Sequence, residues 1–179
     1  MLILNAADVR RALPIPDAIA AMKQAFAALT DGRALVPPRI HMHIQPHDGV
    51  TLVMPGFVAG DAQALAVKVV SLFPGNIPRG IPLIQAAVVV FEPDTGRPVA
   101  LLEGATLTAI RTGAAQGAAT DLLARSDART VALLGAGVQA RTQLEAACAV
   151  RAIETVHVYS PTRANVDALI ADMARVGAI

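Results

Sequence analysis

Hydrophobic positions near the start of the chain follow two periods in turn. Ile15, Ile19, Met22, Phe26 and Leu29 recur every three or four residues, which predicts a helix over Pro16–Leu29 with one apolar face. Pro16 suits a first turn, Asp17 adds negative charge at the helix N-terminus, and Gly32 stops the run. The period then falls to two. Over Arg39–Gln45, Ile40, Met42 and Ile44 alternate with His41 and His43, the pattern of a half-buried strand. Further strands are expected at Gly49–Pro55, Leu65–Phe73, Ile84–Glu92 and Pro98–Glu103. The turns Pro74-Gly75-Asn76 and Pro93-Asp94-Thr95-Gly96 separate them. Such closely spaced strands predict an antiparallel or mixed sheet packed by the first helix.

The pattern changes in the second half. An Ala-rich helix is predicted over Ala105–Ala124, and Arg125-Ser126-Asp127 is a polar break where a domain boundary is placed. Beyond it come a strand (Thr130–Leu134), a glycine turn, a helix (Val138–Val150), a strand (Thr155–Tyr159), the turn Ser160-Pro161-Thr162 and a helix (Ala164–Val176). Strands alternating with helices imply βαβ units on a parallel sheet. The expected fold class is therefore α/β: an N-terminal α+β domain over residues 1–125, then a βαβα stretch that opens a parallel sheet over residues 126–179.

Composition narrows the function classes. Hydrophobic residues make up 54% and charged residues 16% of the 179, a balance that folds rather than stays disordered. The net charge of +1 and the lack of Trp leave no electrostatic or stacking footprint for nucleic acid or an anionic membrane. The single Cys148 excludes an internal disulfide and sits in an apolar run, as a small core residue does. Met1–Arg11 lacks the features of a signal peptide, and no apolar run approaches a membrane span, so the cytoplasm is the expected compartment. His41, His43 and His47 have only Asp48 beside them and no Cys, so they are read as surface or pocket-rim residues and not as a metal site.

The sharpest motif is Gly135-Ala136-Gly137-Val138-Gln139-Ala140, between an apolar strand and a helix. It matches the dinucleotide fingerprint with Ala in the third position. Gly135 makes the tight turn, Gly137 lets the backbone approach a pyrophosphate, and Ala140 lets helix and strand pack closely. The helix N-terminus then offers free N–H groups to the phosphates. After the next strand an Asp or Glu would hold the ribose 2′-OH of NAD. Here Ser160, Thr162 and Arg163 stand instead, hydroxyls and a cation that suit a 2′-phosphate, so NADP(H) is favoured and NAD(H) remains possible. In the first domain Lys68 interrupts the apolar strand Leu65–Ser71. It faces either solvent, the commoner case, or a pocket. Arg111 lies in a helix of small residues, and Arg39 follows Pro37-Pro38. Two Arg and a Lys could hold an amino-acid carboxylate.

Lys68 in AVKVVS, Arg111-Thr112 in LTAIRTGAA, the phrase Asp94-Thr95-Gly96-Arg97-Pro98, and GAGVQAR at Gly135–Arg141 together resemble the ornithine cyclodeaminase/mu-crystallin family. The resemblance covers essentially the whole chain. It implies that the N-terminal domain binds substrate and forms a homodimer, and that the βαβα stretch is the first half of a Rossmann domain that carries the cofactor. It implies an enzyme, an NAD(P)H-dependent oxidoreductase acting at the amino- or imino-bearing carbon of a small amino acid. Arg39, Lys68 and Arg111 would hold the substrate carboxylate, with Lys68 assisting proton transfer at the nitrogen. Arg111 and Thr112 would reach the cofactor phosphates, alongside Gly135, Gly137, Val138, Gln139 and Ala140. The family's cyclodeaminase carries a Thr where Leu83 stands and an NAD-selecting Asp where Ser160 stands. Both departures favour a reductase of cyclic imino acids such as Δ1-pyrroline-2-carboxylate over an NAD-dependent ornithine cyclodeaminase. A non-catalytic NADPH-binding protein of the mu-crystallin kind, or an inactive fragment, is the further alternative. The family's downstream catalytic Asp lies beyond Ile179, so the sequence reads as an N-terminal part of a longer chain.

Overall fold

The computed structural model describes residues 1–60, 63–175 and 177. They form two compact units, residues 1–12 with 25–108 and residues 13–24 with 109–179. The seams between units run through two helices, α2 (Ile15–Thr30) and α3 (Gly104–Leu123).

The first unit is a seven-stranded mixed sheet. Its strands are β1 (Leu2–Leu4), β2 (Ala34–Leu35), β3 (Ile40–Ile44), β4 (Gly49–Val58), β5 (Ala64–Leu72), β6 (Ile84–Phe91) and β7 (Pro98–Glu103). The order is β1-β7-β6-β5-β4, and β2 and β3 both pair with β4. Only β1 runs parallel to its neighbour, β7; the other pairs are antiparallel. The periodicity missed β1, β2 and the short α1 (Ala6–Ala12), which are too brief to show a period. A local signal for α1 does exist. Asn5 Oδ1 accepts hydrogen bonds from the N–H groups of Ala7 and Asp8 at 2.9 and 3.1 Å, and Asp8 Oδ2 accepts one from the Asn5 N–H at 3.2 Å. That is a reciprocal cap with Asx chemistry at both ends.

In the second unit β8 (Thr130–Leu134) pairs in parallel with β9 (Thr155–Tyr159). Helices α4 (Val138–Val150) and α5 (Arg163–Arg175) cover one face, where Leu133, Ala136, Ala140, Leu144, Leu169 and Met173 form the core. The final helix is described over Arg163–Arg175; Val176, where it is expected to end, lies outside the described residues. Val131 to Leu134 reads as a continuous apolar run, but the strand is two-sided. Leu133 is buried, whereas Leu134 is 85% exposed on the opposite face beside Tyr159. Cys148 packs partly buried against this core, and burial pushes its thiol pKa up, which keeps it protonated and unreactive.

The first helix was expected on the sheet, but its first half belongs to the second unit. Ile15, Ala18 and Ile19 are buried there with Ala109, Ile110, Ala114 and Ala118 of α3. The contact is very close. A Cβ on Gly113 would lie 2.4 Å from the Thr142 carbonyl oxygen of α4. One on Gly117 would lie 2.8 Å from Ile19 Cδ1 and 2.9 Å from Ala146 Cβ. The Ala-rich, small-residue face of α3 is therefore a backbone-to-backbone seat for α4.

Arg151, just past the end of α4, closes the far end of this packing. Its side chain is 9% exposed and donates to the carbonyl oxygens of Thr120, Asp121, Ala124 and Arg125 at 2.8 to 3.1 Å, and to Asp121 Oδ1 at 3.0 Å. The Thr120 carbonyl also accepts the Ala124 N–H at 2.9 Å and the Arg125 carbonyl the Ala128 N–H at 3.2 Å, whereas carbonyls at the end of a helix lack helical partners, each costing about 1–3 kcal/mol if buried unpaired.

Gly113→Ala tests the seat. Helix propensity gains about 1 kcal/mol, but forcing backbone apart costs about 3 kcal/mol, so a net loss of about 2 kcal/mol is expected in chemical denaturation. Gly56→Ala, where a Cβ meets nothing within 4 Å, should stay within about 1 kcal/mol of the parent. Equal losses at both positions would mean that the close approach is not what constrains position 113.

Candidate functional site

Strand register decides where Lys68 faces. Lys68 pairs with Met54 on β4 and Val88 on β6, and residues directly opposite one another share a face. Val70, two residues on, shares that face as well. Val70 and Val88 are the buried positions of these strands, at 7% and 6% exposure, while Val69 and Ala87 on the other face are exposed. Lys68 is thus half-buried on the packed face, against the commoner solvent-facing expectation. The reason is the pairing with Val88, which one strand's pattern does not reveal.

Arg39 lies one residue ahead of β3 and is exposed. The β3–β4 ladder ends at Ile40 opposite Val53, next to Met54, which pairs with Lys68, so Arg39 stands at the border of the Met54–Lys68 row. His41 opposes Leu52 and His43 opposes Val50, which puts both imidazoles on this face too, stacked at 6.4 Å between ring centroids. Both are exposed. His47 lines the rim of a separate open cleft of about 560 Å³ with Asp48, Asn76 and Arg79, beyond the C-terminal end of β5.

Arg111 and Thr112 lie in the second unit, on the turn of α3 just before the Gly113 seat, Arg111 exposed and Thr112 half-buried. Glu103 fixes the start of that helix within the first unit. Burial alone would raise its pKa. The Thr106 hydroxyl and the N–H groups of Thr106 and Ala105, the latter two at 2.8 and 2.7 Å, outweigh burial and hold it below its ordinary value. Sequence reasoning passed over Glu103, although an acidic residue just before a helix is a capping signal.

The glycine turn has the conformation that its residue types require. Gly135 is at φ +103°, a region unfavourable for any residue with a Cβ, and its N–H donates to the Tyr159 carbonyl at 2.8 Å. That bond ties the turn to the end of β9. Gly137 is extended and stands at the N-terminus of α4 with no side-chain cap. A Cβ on either glycine would meet nothing within 4 Å, so the space over the turn is open. Ala140 is buried where α4 meets the strand. Gln139 Oε1 is buried with no hydrogen-bond partner among the described residues, and Val138 is exposed beside it. An uncapped helix N-terminus behind an open glycine turn is a seat for a phosphate. Across the end of β9, Ser160 Oγ accepts a hydrogen bond from the Thr162 N–H at 3.4 Å. Arg163 pairs with Asp167 at 2.8 Å, with its side chain 84% exposed.

Comparison with known proteins agrees with these motifs. The ornithine cyclodeaminase/mu-crystallin family profile matches residues 1–178. The chain belongs to that family. It is 38% identical over 162 residues to a Δ1-pyrroline-2-carboxylate reductase of Bacillus cereus, covering 90% of this chain and 50% of the relative. It superimposes on the Thermococcus litoralis Δ1-pyrroline-2-carboxylate reductase, solved in complex with NADH and L-proline, with a TM-score of 0.91 and 43% identity. That match covers 98% of this chain and 54% of the other. An archaeal alanine dehydrogenase dimer with bound NAD matches at a TM-score of 0.89 and 30% identity, over 99% and 54% of the two chains. The chain therefore spans about half the length of the relatives it matches. The α/β expectation and the family resemblance both hold, and the structural neighbours are family dehydrogenases.

Two carboxylates in the second unit carry a pH prediction. Hydrogen bonds from Lys23 and Arg151 hold Asp121 below its ordinary pKa, and Arg141 does the same for Asp172. A lowered folded-state pKa adds stability that is fully present above the unfolded value, near 4, and is lost as pH falls through the folded one. Thermal melts should show a stability plateau at neutral pH that falls away below about pH 4. Asp121→Asn should melt lower at neutral pH and lose part of that acid dependence. An unchanged acid profile in the variant would show that Asp121 is not ion-paired in solution.

Proposed function

We propose that the protein is an NAD(P)H-dependent reductase of a small cyclic imino acid, with Δ1-pyrroline-2-carboxylate or a near ketimine as substrate. The observation that carries this reading is the open glycine turn on an uncapped helix, in a chain whose half-buried Lys68 shares the packed sheet face with Val70 and Val88. The Bacillus and Thermococcus relatives named as Δ1-pyrroline-2-carboxylate reductases support the substrate class.

Arg39 and Arg111 pair with the substrate carboxylate, since guanidinium forks match carboxylate geometry. Lys68 completes this clamp from a half-buried position and assists the proton at the imine nitrogen. Gly135, Gly137, Val138, Gln139 and Ala140 receive the cofactor pyrophosphate, with Arg111 and Thr112 contributing to the phosphates. A nicotinamide cofactor held there would supply hydride chemistry at a C=N carbon. Holding the carboxylate fixed orients that carbon, and orientation supplies much of the rate. The functional division we propose is a substrate domain over residues 1–125 and a nucleotide domain from residue 126.

NADP(H) is the favoured cofactor, through Ser160, Thr162 and Arg163. The Arg163–Asp167 pair is an exposed i,i+4 bridge worth only about 0.3–0.5 kcal/mol, little to set against a 2′-phosphate. The relatives solved with NADH and with NAD keep the non-phosphorylated cofactor as the alternative. The proposed homodimer uses the sheet face opposite Lys68, where Ile3, Ile40, Met42 and Val69 are exposed around half-buried Val53, Val67, Val89 and Leu101. A continuous apolar face of that kind suits a self-complementary interface.

The test is oxidation of NADPH and of NADH by the purified protein with Δ1-pyrroline-2-carboxylate. Turnover with NADPH exceeding NADH is expected. Lys68→Ala should lower kcat/KM by about 10²–10⁴-fold while cofactor binding survives. Arg163→Ala should narrow the preference for NADPH by about tenfold. Proline formed from ornithine with NAD, and no imine reduction, would transfer the reading to a cyclodeaminase. Cofactor binding without either activity would make it a binding protein.

A further inference from the structure

Arg141 is the last residue of the GAGVQAR phrase, and the proposed function gives it no role. It lies in the first turns of α4, 28% exposed. Its Nη1 donates to the Gly137 carbonyl at 3.0 Å and reaches the Ala136 carbonyl at 3.4 Å, and its Nε donates to Asp172 Oδ2 on α5 at 2.6 Å. The other Asp172 oxygen accepts from Arg175 at 2.9 Å. The guanidinium is thereby committed on both sides, to the turn and to a carboxylate.

The geometry has a consequence for the turn. A peptide group is planar and trans, so its N–H points opposite its C=O. Drawing the Ala136 and Gly137 carbonyls toward Arg141 turns the N–H groups of Gly137 and Val138 the other way. These belong to the uncapped start of α4, beside a Gly137 that has open space around it. The Ala140 N–H also donates to the Gly137 carbonyl at 3.2 Å, and with no side chain on either glycine Arg141 is the side chain that draws the Ala136 and Gly137 carbonyls to one side. We propose that Arg141, held by Asp172, is a positioning residue that sets the two peptide planes whose N–H groups receive the cofactor pyrophosphate; this rests on the dinucleotide reading above. Asp172 sits on the helix that follows the Ser160–Arg163 turn, so the same pair fixes the pyrophosphate end of the site relative to its ribose end.

A direct phosphate contact by Arg141 is the competing role, and the two differ in sign at Asp172. A positioning Arg141 needs Asp172, so Asp172→Asn loosens the turn and weakens binding. An Arg141 that contacts phosphate itself would be freed by Asp172→Asn and would bind more tightly.

Calorimetric titration of the wild type and of Arg141→Met, Arg141→Lys and Asp172→Asn with NADPH, ADP and adenosine 2′-monophosphate separates these cases. Arg141→Met should raise Kd for NADPH and ADP by about tenfold, the loss of a charge-assisted contact, and leave adenosine 2′-monophosphate within about twofold. Arg141→Lys, which keeps the charge and reaches one carbonyl, should fall between. Asp172→Asn should also weaken ADP, and it carries the test if Arg141→Met does not fold. Tighter ADP binding by Asp172→Asn overturns the proposal, as does an equal loss for all three ligands, which marks a general structural role. Variants that bind like a binding-competent wild type overturn this inference alone. A wild type that binds none of the three overturns the dinucleotide reading and this inference with it.

Discussion

The second unit depends on one close approach, that of α3 to α4 at Gly113. With the position of a Cβ only 2.4 Å from the Thr142 carbonyl, the two helices meet at their backbones, and every other element of the unit is arranged around that contact. Gly117 continues it one turn later against Ala146 and Ile19. Ala109, Ala114 and Ala118 fill the remaining contact with side chains that lose no rotamer freedom on packing. At the far end Arg151 donates to carbonyls at the end of α3 and pairs with Asp121, which Lys23 of α2 also holds. The helix that bears Arg111 and Thr112 is therefore fixed against the helix that opens at the glycine turn. Small residues give the proximity, and one buried Arg donates to the carbonyls at its far end.

Much of this was legible in sequence where a single element carries the whole signal. The alternation of Ile40, His41, Met42, His43 and Ile44 gave β3, and the pattern around Gly135–Ala140 gave the strand, turn and helix. Features that arise between elements were not legible. The face of Lys68 follows from its pairing with Val88, and the side of the sheet on which His41 and His43 stand follows from the register of β3 with β4. The GAAQG stretch looked like a plain Ala-rich helix, because only the identity of its neighbour turns Gly113 from a weak helix former into a requirement. The first helix misled for the same reason. Its apolar face is real, but a period does not say what the face packs against, and Ile19 packs at Gly117.

Two charge pairs, one on α5 after β9 and one at the glycine turn, differ in the energy behind them. Arg163 and Asp167 are neighbours on one exposed helix face, a geometry that contributes tenths of a kcal/mol and yields easily to a better anion. Arg141 and Asp172 join two helices through a partly buried contact, with carbonyls on one side of the guanidinium and a carboxylate on the other. The first pair can exchange its partner when a ligand arrives, and the second would lose its bonds to the turn if it did so. In the proposed reading the loosely held pair lies at the ribose end of a dinucleotide site and the firmly held pair at its pyrophosphate end.

The substrate side has a parallel logic in the proposed reading. Lys68 pairs directly with Met54, so the surface beside this cation is an apolar side chain. A flat imino acid matches that arrangement, with its carboxylate on the cation and its ring on the thioether. An open-chain diamino acid carries a second ammonium, which would need an acceptor rather than another cation. Leu83, which stands where the cyclodeaminase carries a Thr, offers only its backbone there, and its carbonyl already accepts the Phe73 N–H at 3.1 Å. Its side chain has no oxygen for a distal ammonium. In the proposed reading this disfavours ornithine and favours a cyclic imine, without any contact specific to ring size. Discrimination between five- and six-membered rings would then rest on packing at Met54 and Leu83, where one methylene is worth about 1–3 kcal/mol.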